Sequence, residues 1–347
     1  MKTLVAMSGG VDSAVCACIL KNEGVDVIGA NLRLHGSDFD ADTKDIEDAK
    51  AVCDRLCIPF YSFDFSSDFE DIVVKDFVKT YQNGGTPNPC VICNRYIKIQ
   101  KLIEKADELS CEKVATGHYA NIEFDENSGR YLLKKAKDEA KDQSYVLYQL
   151  TQQQLSRLQF PLGKLTKNDA REIARAEGLK NAESADSQDI CFIPDGDYYS
   201  FIEKYTGKKQ EYGNFVDENG NVLGTHKGIV NYTIGQRKGL GVSSSAPLFV
   251  TKINPSDNTV TLTHGEGLFS KVLYADNVNL ISVEELKEPM RVMAKVRYRQ
   301  KAQSATATMQ SDGKLKVEFD DEQRAITKGQ SVVLYDGDIV VGGGIII

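Results

Sequence analysis

Two short segments of this chain carry residue types and spacings that can do chemistry. The first, Ser8-Gly9-Gly10-Val11-Asp12-Ser13, follows an apolar run from Leu4 to Met7 and opens a helix-period stretch from Val11 to Glu23. A strand–loop–helix turn of this kind aims backbone N–H groups and the positive end of a helix at a bound anion. The adjacent glycines let the main chain approach phosphate oxygens closely, and Ser8 and Ser13 add hydroxyl donors. Asp12 would repel bare phosphate, so its natural role is to hold Mg²⁺ that bridges a pyrophosphate. No lysine follows as in a Walker loop and no Gly-x-Gly-x-x-Gly occurs, so kinase and dinucleotide readings lack their key residues. A plain glycine-rich turn with an Asp–Ser cap is the bland alternative.

The second segment, Thr86-Pro87-Asn88-Pro89-Cys90-Val91-Ile92-Cys93-Asn94, puts two thiols one helical turn apart after a proline-stiffened loop. A helix N-terminus lowers a thiol pKa, so both are expected to favour the thiolate. A structural zinc site would need two further ligands, and the chain has no second C-x-x-C and no H-x-x-x-H. Packing as small apolar residues remains open. Cys191, in Ser187-Gln188-Asp189-Ile190-Cys191-Phe192-Ile193-Pro194, could approach this pair from across the domain, although taken alone it reads as a core cysteine. Cys16, Cys18 and Cys53 lie on apolar helix faces and read as inert packing, while Cys57 and Cys111 have no chemical neighbour in sequence.

The elements that must carry these segments alternate. Val25 to Leu32, Pro59 to Phe63 and Lys113 to Thr116 read as strands, and Lys44 to Leu56, Phe69 to Tyr81 and Val91 to Leu109 as amphipathic helices. That order predicts a doubly wound parallel sheet. Helical character continues from 142 to 205, with Asn168 to Glu177 stopped by Gly178. After about 206 short alternating strands are separated by turn signals at Glu218-Asn219-Gly220-Asn221, Asp257-Asn258, Ser311-Asp312-Gly313 and Asp336-Gly337-Asp338. The expected division is 1–205, 206–277 and 278–347.

A length of 347 residues, with 41% hydrophobic and 27% charged, suits a multidomain enzyme and excludes a disordered or collagen-like chain. No run is long enough to span a bilayer and no export signal opens the chain, so a cytoplasmic protein with reduced cysteines and no membrane partner is expected. The net charge of −8 argues against bulk adhesion to nucleic acid. An RNA partner would need local patches. Arg291, Lys295, Arg297, Arg299 and Lys301, interleaved with Tyr298, form an acid-free stretch, and Lys134, Lys135 and Lys137 form another. A solvated strand face is the alternative for both.

The glycine loop looks like the PP-loop of the ATP pyrophosphatases, which cleave ATP to AMP and pyrophosphate while adenylating a substrate. Taken with the cysteine segment, Ala115-Thr116-Gly117-His118-Tyr119, Lys141-Asp142-Gln143-Ser144-Tyr145, Asp189-Ile190-Cys191-Phe192-Ile193, Tyr232 to Gly239 and Val296 to Gln300, the chain resembles the tRNA-specific 2-thiouridylases over essentially its whole length. The resemblance implies a PP-loop domain (adenine nucleotide alpha hydrolase-like), a small β-rich central domain and a C-terminal β-barrel. It implies that Ala6, Met7, Ser8, Gly9, Gly10, Val11, Asp12, Ser13, Leu32 and Gly117 contact ATP. Asn88, Pro89 and Cys90 would face the target base, and His118, Lys141, Asp142, Gln143, Arg297, Tyr298 and Gln330 would touch tRNA.

In this reading the C2 oxygen of a wobble uridine is adenylated, Mg²⁺ and the loop stabilise pyrophosphate, and sulfur then displaces AMP. Cys191 would carry a persulfide and Cys93 would release the sulfur by forming a disulfide with it. The alternative is a [4Fe–4S] cluster on Cys90, Cys93 and Cys191 that binds sulfide. Many family members have aspartate at the position of Cys90, and proline is usual where Thr327-Lys328-Gly329-Gln330 has lysine. A persulfide or sulfide donor is required, and a monomer is expected. Two rivals stand beside this reading: a PP-loop ligase or amidotransferase for a small molecule, which would not need the cysteines, and an RNA-binding adaptor, which would not need Asp12.

Overall fold

The computed structural model describes residues 1–35, 40–179 and 190–347. Its first sheet is parallel, in the order β3-β2-β1-β4-β7, built from β1 (Lys2–Ala6), β2 (Asp26–Arg33), β3 (Phe60–Asp64), β4 (Lys113–Ala115) and β7 (Leu158–Gln159). β1 lies in the middle with Thr3 beside Val27 on one side and Lys113 on the other, so the chain reverses its winding at the carboxyl end of β1. In open α/β sheets ligands bind at that point. Helices α1 (Val11–Asn22) and α2 (Asp40–Arg55) follow β1 and β2 as the periodicity predicts. The expected helix from Val91 to Leu109 is continuous from Pro89 to Glu108, with Cys93–Ile99 wound as a π-helix. Among the described residues no helix is long and apolar enough to cross a membrane.

Between β4 and β7 the chain makes a hairpin, β5 (Asn121–Asp125) and β6 (Arg130–Lys134), that leaves the parallel sheet. β6 pairs instead with the last strand of the C-terminal barrel, Lys134 against Ile339. A four-stranded sheet, β10-β11-β8-β9, follows from β8 (Gly213–Val216), β9 (Val222–His226), β10 (Phe249–Asn254) and β11 (Thr259–Thr263). The C-terminal region closes as a six-stranded antiparallel barrel of β12 (Phe269–Leu280), β13 (Met290–Lys295), β14 (Gln303–Met309), β15 (Leu315–Arg324), β16 (Ser331–Asp336) and β17 (Ile339–Ile346). β12 to β17 pairing completes the ring. The division expected near 277 falls inside β12, at an irregularity between Asp276 and Asn279 where its pairing with β17 shifts register.

The three units share cores. Phe69, Phe77 and Ile97 of the first unit pack with Phe192, Phe215 and Val250, and Tyr145 and Tyr148 pack with Val333 and Tyr335 of the barrel. Their mutual placement is therefore set by buried apolar surface, not by linkers alone.

Candidate active site

The loop from Ser8 to Ser13 sits at the carboxyl end of β1, where Gly10 caps α1 without a side-chain hydrogen bond. The first-turn N–H groups of α1 have no intrahelical acceptor and are available to an anion. Gly9 takes φ of +77°, and a Cβ there would lie 2.7 Å from the Asp45 carbonyl oxygen. Gly117 is needed for a different reason: its Cβ would lie 2.7 Å from the Asp12 carbonyl carbon and 2.9 Å from Ser13 N, so β4's exit packs directly on the start of α1. Ala6 ends β1, Met7 is buried, and half-buried Leu32 lies on neighbouring β2. The Ser13 hydroxyl, expected to face phosphate, is engaged within the loop: it donates to the Gly10 carbonyl at 2.9 Å and accepts from Ser8 N at 3.2 Å.

Asp12 has protein partners that its loop does not announce. Lys167 donates to both carboxylate oxygens at 2.8 Å, and the Tyr119 hydroxyl donates to Oδ1 at 2.9 Å. The lysine absent from the loop is thus supplied from the first turn of a distant helix, Lys167–Ala176. A capping box fixes that turn: Asp169 N donates to Thr166 Oγ1 and Thr166 N to the Asp169 carboxylate.

The cysteine segment begins its helix with Pro89 in the first turn, where its missing N–H costs nothing. Cys90 and Cys191 reach solvent and Cys93 is buried; all eight cysteines are free thiols. The expectation of acidic thiols at this helix start is overturned for both Cys90 and Cys93. Burial pushes Cys90 up and pushes Cys93 up to about 12, against the opposing Lys98 ammonium. Cys191, read from sequence as a core cysteine, goes the other way. Burial raises its thiol pKa, but a hydrogen bond with His35 and the charge of Lys98 outweigh that and lower it. Lys98 stays charged in spite of its own burial because it faces Cys93, Cys191 and Cys90. Cys191 therefore joins the first pair as anticipated, while Ser187 to Asp189 of its motif lie outside the described residues.

The residues expected at tRNA divide. Tyr298 is exposed, packs at 5.9 Å from the Tyr145 ring and lies near Cys90, so the barrel does reach the cysteine segment. His118 is held neutral by burial and by Lys98, its pKa down to about 3, with Nδ1 2.7 Å from the Thr116 hydroxyl. Lys141 is half-buried, while Asn88 is half-buried beside buried Pro89. Asp142 is buried and accepts from Ala136 N, Ser144 N and the Ser144 hydroxyl. Gln143 accepts from Tyr119 N at 2.9 Å and so sets the ring that contacts Asp12. Arg297 turns inward to the Ala325 carbonyl, and Gln330 donates to the carbonyls of Thr86 and Pro87.

The acid-free basic stretch is not acid-free in three dimensions. Arg291 makes a two-pronged pair with Asp320 at 2.9 and 2.7 Å, because β14 lies between β13 and β15 and a long side chain crosses it. Lys134 pairs with Glu123 and Asp338, and Lys137 with Asp169. Arg299 and Lys301 are exposed and in no ion pair among the described residues. Sequence reasoning missed His35, Lys98, Tyr119 and Lys167 as site residues. Only Tyr119 stood in a motif already singled out, and the capping box at Thr166 marked a helix start without saying where its lysine reaches.

Three family models match the chain: a tRNA methyl transferase HUP domain over residues 1–195, a tRNA methyl transferase PRC-barrel domain over 199–264 and an aminomethyltransferase beta-barrel domain over 270–346. The chain is 49% identical over 352 residues to the tRNA-specific 2-thiouridylase MnmA of Clostridioides difficile (strain 630), covering 99% of this chain and 98% of that one. It is 51% identical over 354 residues to the tRNA-specific 2-thiouridylase MnmA 1 of Caldanaerobacter subterraneus subsp. tengcongensis, covering 99% and 97%. Among solved structures, the U34-tRNA thiolase NcsA from Methanococcus maripaludis with its [4Fe-4S] cluster aligns over 59% of this chain and 66% of that one, at 19% identity and a TM-score of 0.37.

Proposed function

The chain belongs to the tRNA-specific 2-thiouridylase family, and on that premise we infer that it is an ATP-dependent tRNA sulfurtransferase that adenylates the C2 oxygen of a wobble uridine and replaces it with sulfur. The observation that carries the sulfur route is the unequal environment of the thiols: Cys191 lowered beside His35 and Lys98, Cys93 pushed up to about 12.

Activation belongs to the phosphate loop. ATP's phosphates meet the N–H groups at the start of α1, and Lys167 places positive charge beside them. The donor set fits a Mg²⁺ ion that arrives with the nucleotide, since Asp12 offers one carboxylate and such ions take their other positions from phosphates and water. Bound there, the ion would neutralise charge on the departing pyrophosphate. Asp12 would exchange part of its contact with Lys167 for it.

Sulfur transfer belongs to the cysteines. A thiol held as thiolate accepts sulfur readily, which favours Cys191 as the persulfide carrier. Its terminal sulfur bonds to C2 as AMP leaves. The Cys93 sulfur, after losing its proton, attacks Cys191 Sγ; the S–S bond to the base breaks, 2-thiouridine departs and a Cys93–Cys191 disulfide remains. Two external thiols, oxidised to a disulfide, supply the two electrons that reset it. A protonated resting Cys93 does not cleave the persulfide early. Among the described residues no three Cys, His, Asp or Glu groups stand close enough to hold a single metal ion, and the charge beside the three sulfurs is the Lys98 ammonium. No step is routed through a cluster. We propose that the protein works as a monomer with a persulfide donor.

The test is thiolation of a tRNA transcript with ATP and a persulfide donor, under strict anaerobiosis, with AMP and 2-thiouridine measured separately. Cys93→Ser and Cys191→Ser are expected to keep AMP formation and lose 2-thiouridine, and Cys90→Ser to keep both without iron. Thiolation by Cys191→Ser, or activity that tracks bound iron, overturns the persulfide route.

A further inference from the structure

The loop that delivers Cys90 is held from outside its own domain. Gly84, at φ +71°, fits beneath the central unit, where a Cβ would lie 3.0 Å from Ile253 Cγ2, and the Thr86 hydroxyl lies 3.4 Å from that of Thr233. The barrel grips the other side. Thr86 N donates to the Lys328 carbonyl at 2.8 Å, and the Gln330 side-chain amide donates to the Thr86 carbonyl at 2.9 Å and the Pro87 carbonyl at 3.2 Å. Two glycines make this approach possible. A Cβ on Gly85 would stand 3.2 Å from the Lys328 carbonyl oxygen, and one on Gly329, at φ +88°, 3.0 Å from the Thr86 carbonyl oxygen.

The gripping turn is itself braced. Gln330 N donates to the Thr327 carbonyl, Gly329 N to that of Ile346, and Ile346 N back to that of Gln330. The Arg297 guanidinium, which sequence placed on tRNA, binds the Ala325 carbonyl and lies 3.5 Å from Thr327 Oγ1. Both hydrogens of the Gln330 amide are used on the loop, so this side chain cannot donate to RNA without letting the loop go.

We propose that Gln330 is a positioning residue for sulfur transfer: it fixes the segment from Gly84 to Asn88 and thereby the helix start that carries Cys90 and Cys93. This makes the C-terminal barrel a wall of the active site as well as a surface for RNA, and it rests on the thiouridylase reading above. A misplacement of about 1 Å in such a segment is worth up to roughly 10²-fold in rate.

The full-length protein is tested as Gln330→Ala, Gln330→Glu and Gly85→Ala, the last disturbing the contact from the loop side without touching Gln330. Each is expected to lower single-turnover thiolation at saturating tRNA by at least about tenfold, with tRNA Kd within about twofold and AMP formation retained. Peptide-resolved alkylation reads the loop without any activity, and Cys90 is expected to react at least about threefold faster in all three variants. A tRNA Kd that rises in the Gln330 variants while the saturated rate holds makes Gln330 an RNA contact and overturns the proposal. So does an unchanged Cys90 alkylation rate. Faster Cys90 alkylation in a protein whose wild type forms no 2-thiouridine supports the clamp and rejects the thiouridylase reading instead.

Discussion

Replacing Lys167 by Met removes the cation from Asp12 while keeping an unbranched side chain of similar length. Lys167 is 8% exposed and Asp12 30%, and the ammonium reaches both carboxylate oxygens at 2.8 Å. Losing one partner of a fully buried pair costs about 3–5 kcal/mol. Here the Asp12 carboxylate keeps some water and the Tyr119 hydroxyl at 2.9 Å, so roughly 2–3 kcal/mol is expected. At about 2–4 °C per kcal/mol for a domain of this size, the first unit should melt some 4–12 °C lower. Asp12→Asn in the same chain removes the stranded charge, so the double variant should recover most of that loss, with a coupling of about 1.5–2 kcal/mol. AMP formation tells a different story. Neither Lys167→Met nor the double variant should regain it, because the phosphates have lost their cation in both. Melting curves and AMP release on the four proteins of the cycle decide the matter. Additive melting shifts, with coupling under about 0.5 kcal/mol, would refute the buried-pair reasoning, and AMP formation at the wild-type rate in Lys167→Met would refute the role given to the lysine.

Salt dependence separates the basic residues: Arg299→Ala and Lys301→Ala should each reduce the slope of log K for tRNA against log salt by roughly 0.7–0.9, while Arg291→Ala, already neutralised by Asp320, should leave it unchanged. Equal slopes for all three would contradict this sorting. Lys98→Gln should raise the pH at which Cys191 is alkylated toward the ordinary thiol value of about 8.5, because a cation favours the thiolate and its removal favours the thiol; an unshifted midpoint in peptide-resolved alkylation would reject that cause. Gly117→Ala forces a Cβ to within 2.7 Å of the Asp12 carbonyl carbon and should cost about 1–3 kcal/mol in overpacking, with weaker ATP binding and unaltered tRNA binding. Unchanged melting and unchanged ATP binding together would remove the close approach from the account.

What sequence made legible is what is local. A strand, two glycines and a helix are contiguous, so the phosphate loop and its place at the end of β1 could be read directly, as could the helices whose apolar faces repeat with helical period. Charge partners are not local. Lys167 comes from 155 residues beyond Asp12, and Asp320 meets Arg291 only because β13, β14 and β15 lie side by side. The thiol reading failed for the same reason: a helix start lowers a thiol pKa only modestly, whereas burial against the rest of the fold raises it by more at Cys90 and Cys93. The hairpin of β5 and β6 is ordinary in sequence, and its departure from the parallel sheet to extend the barrel depends on a partner more than 200 positions away.

These distant partners have a common logic. Each half of the reaction handles anions in a protein whose formal charge is −8, and each half is given one lysine brought in by the fold: Lys167 at the phosphate loop and Lys98 among the sulfurs. A diffuse basic surface would attract RNA but could not distinguish one thiol from another. A single half-buried ammonium can, because its effect is weighed against burial at each sulfur separately, and His35 tips that balance at Cys191 alone. The order of the chemistry then follows from position. On the proposed route Cys191 would take sulfur while Cys93 keeps its proton, and the persulfide would not be spent until an adenylated base arrives beside the loop that Gln330 contacts.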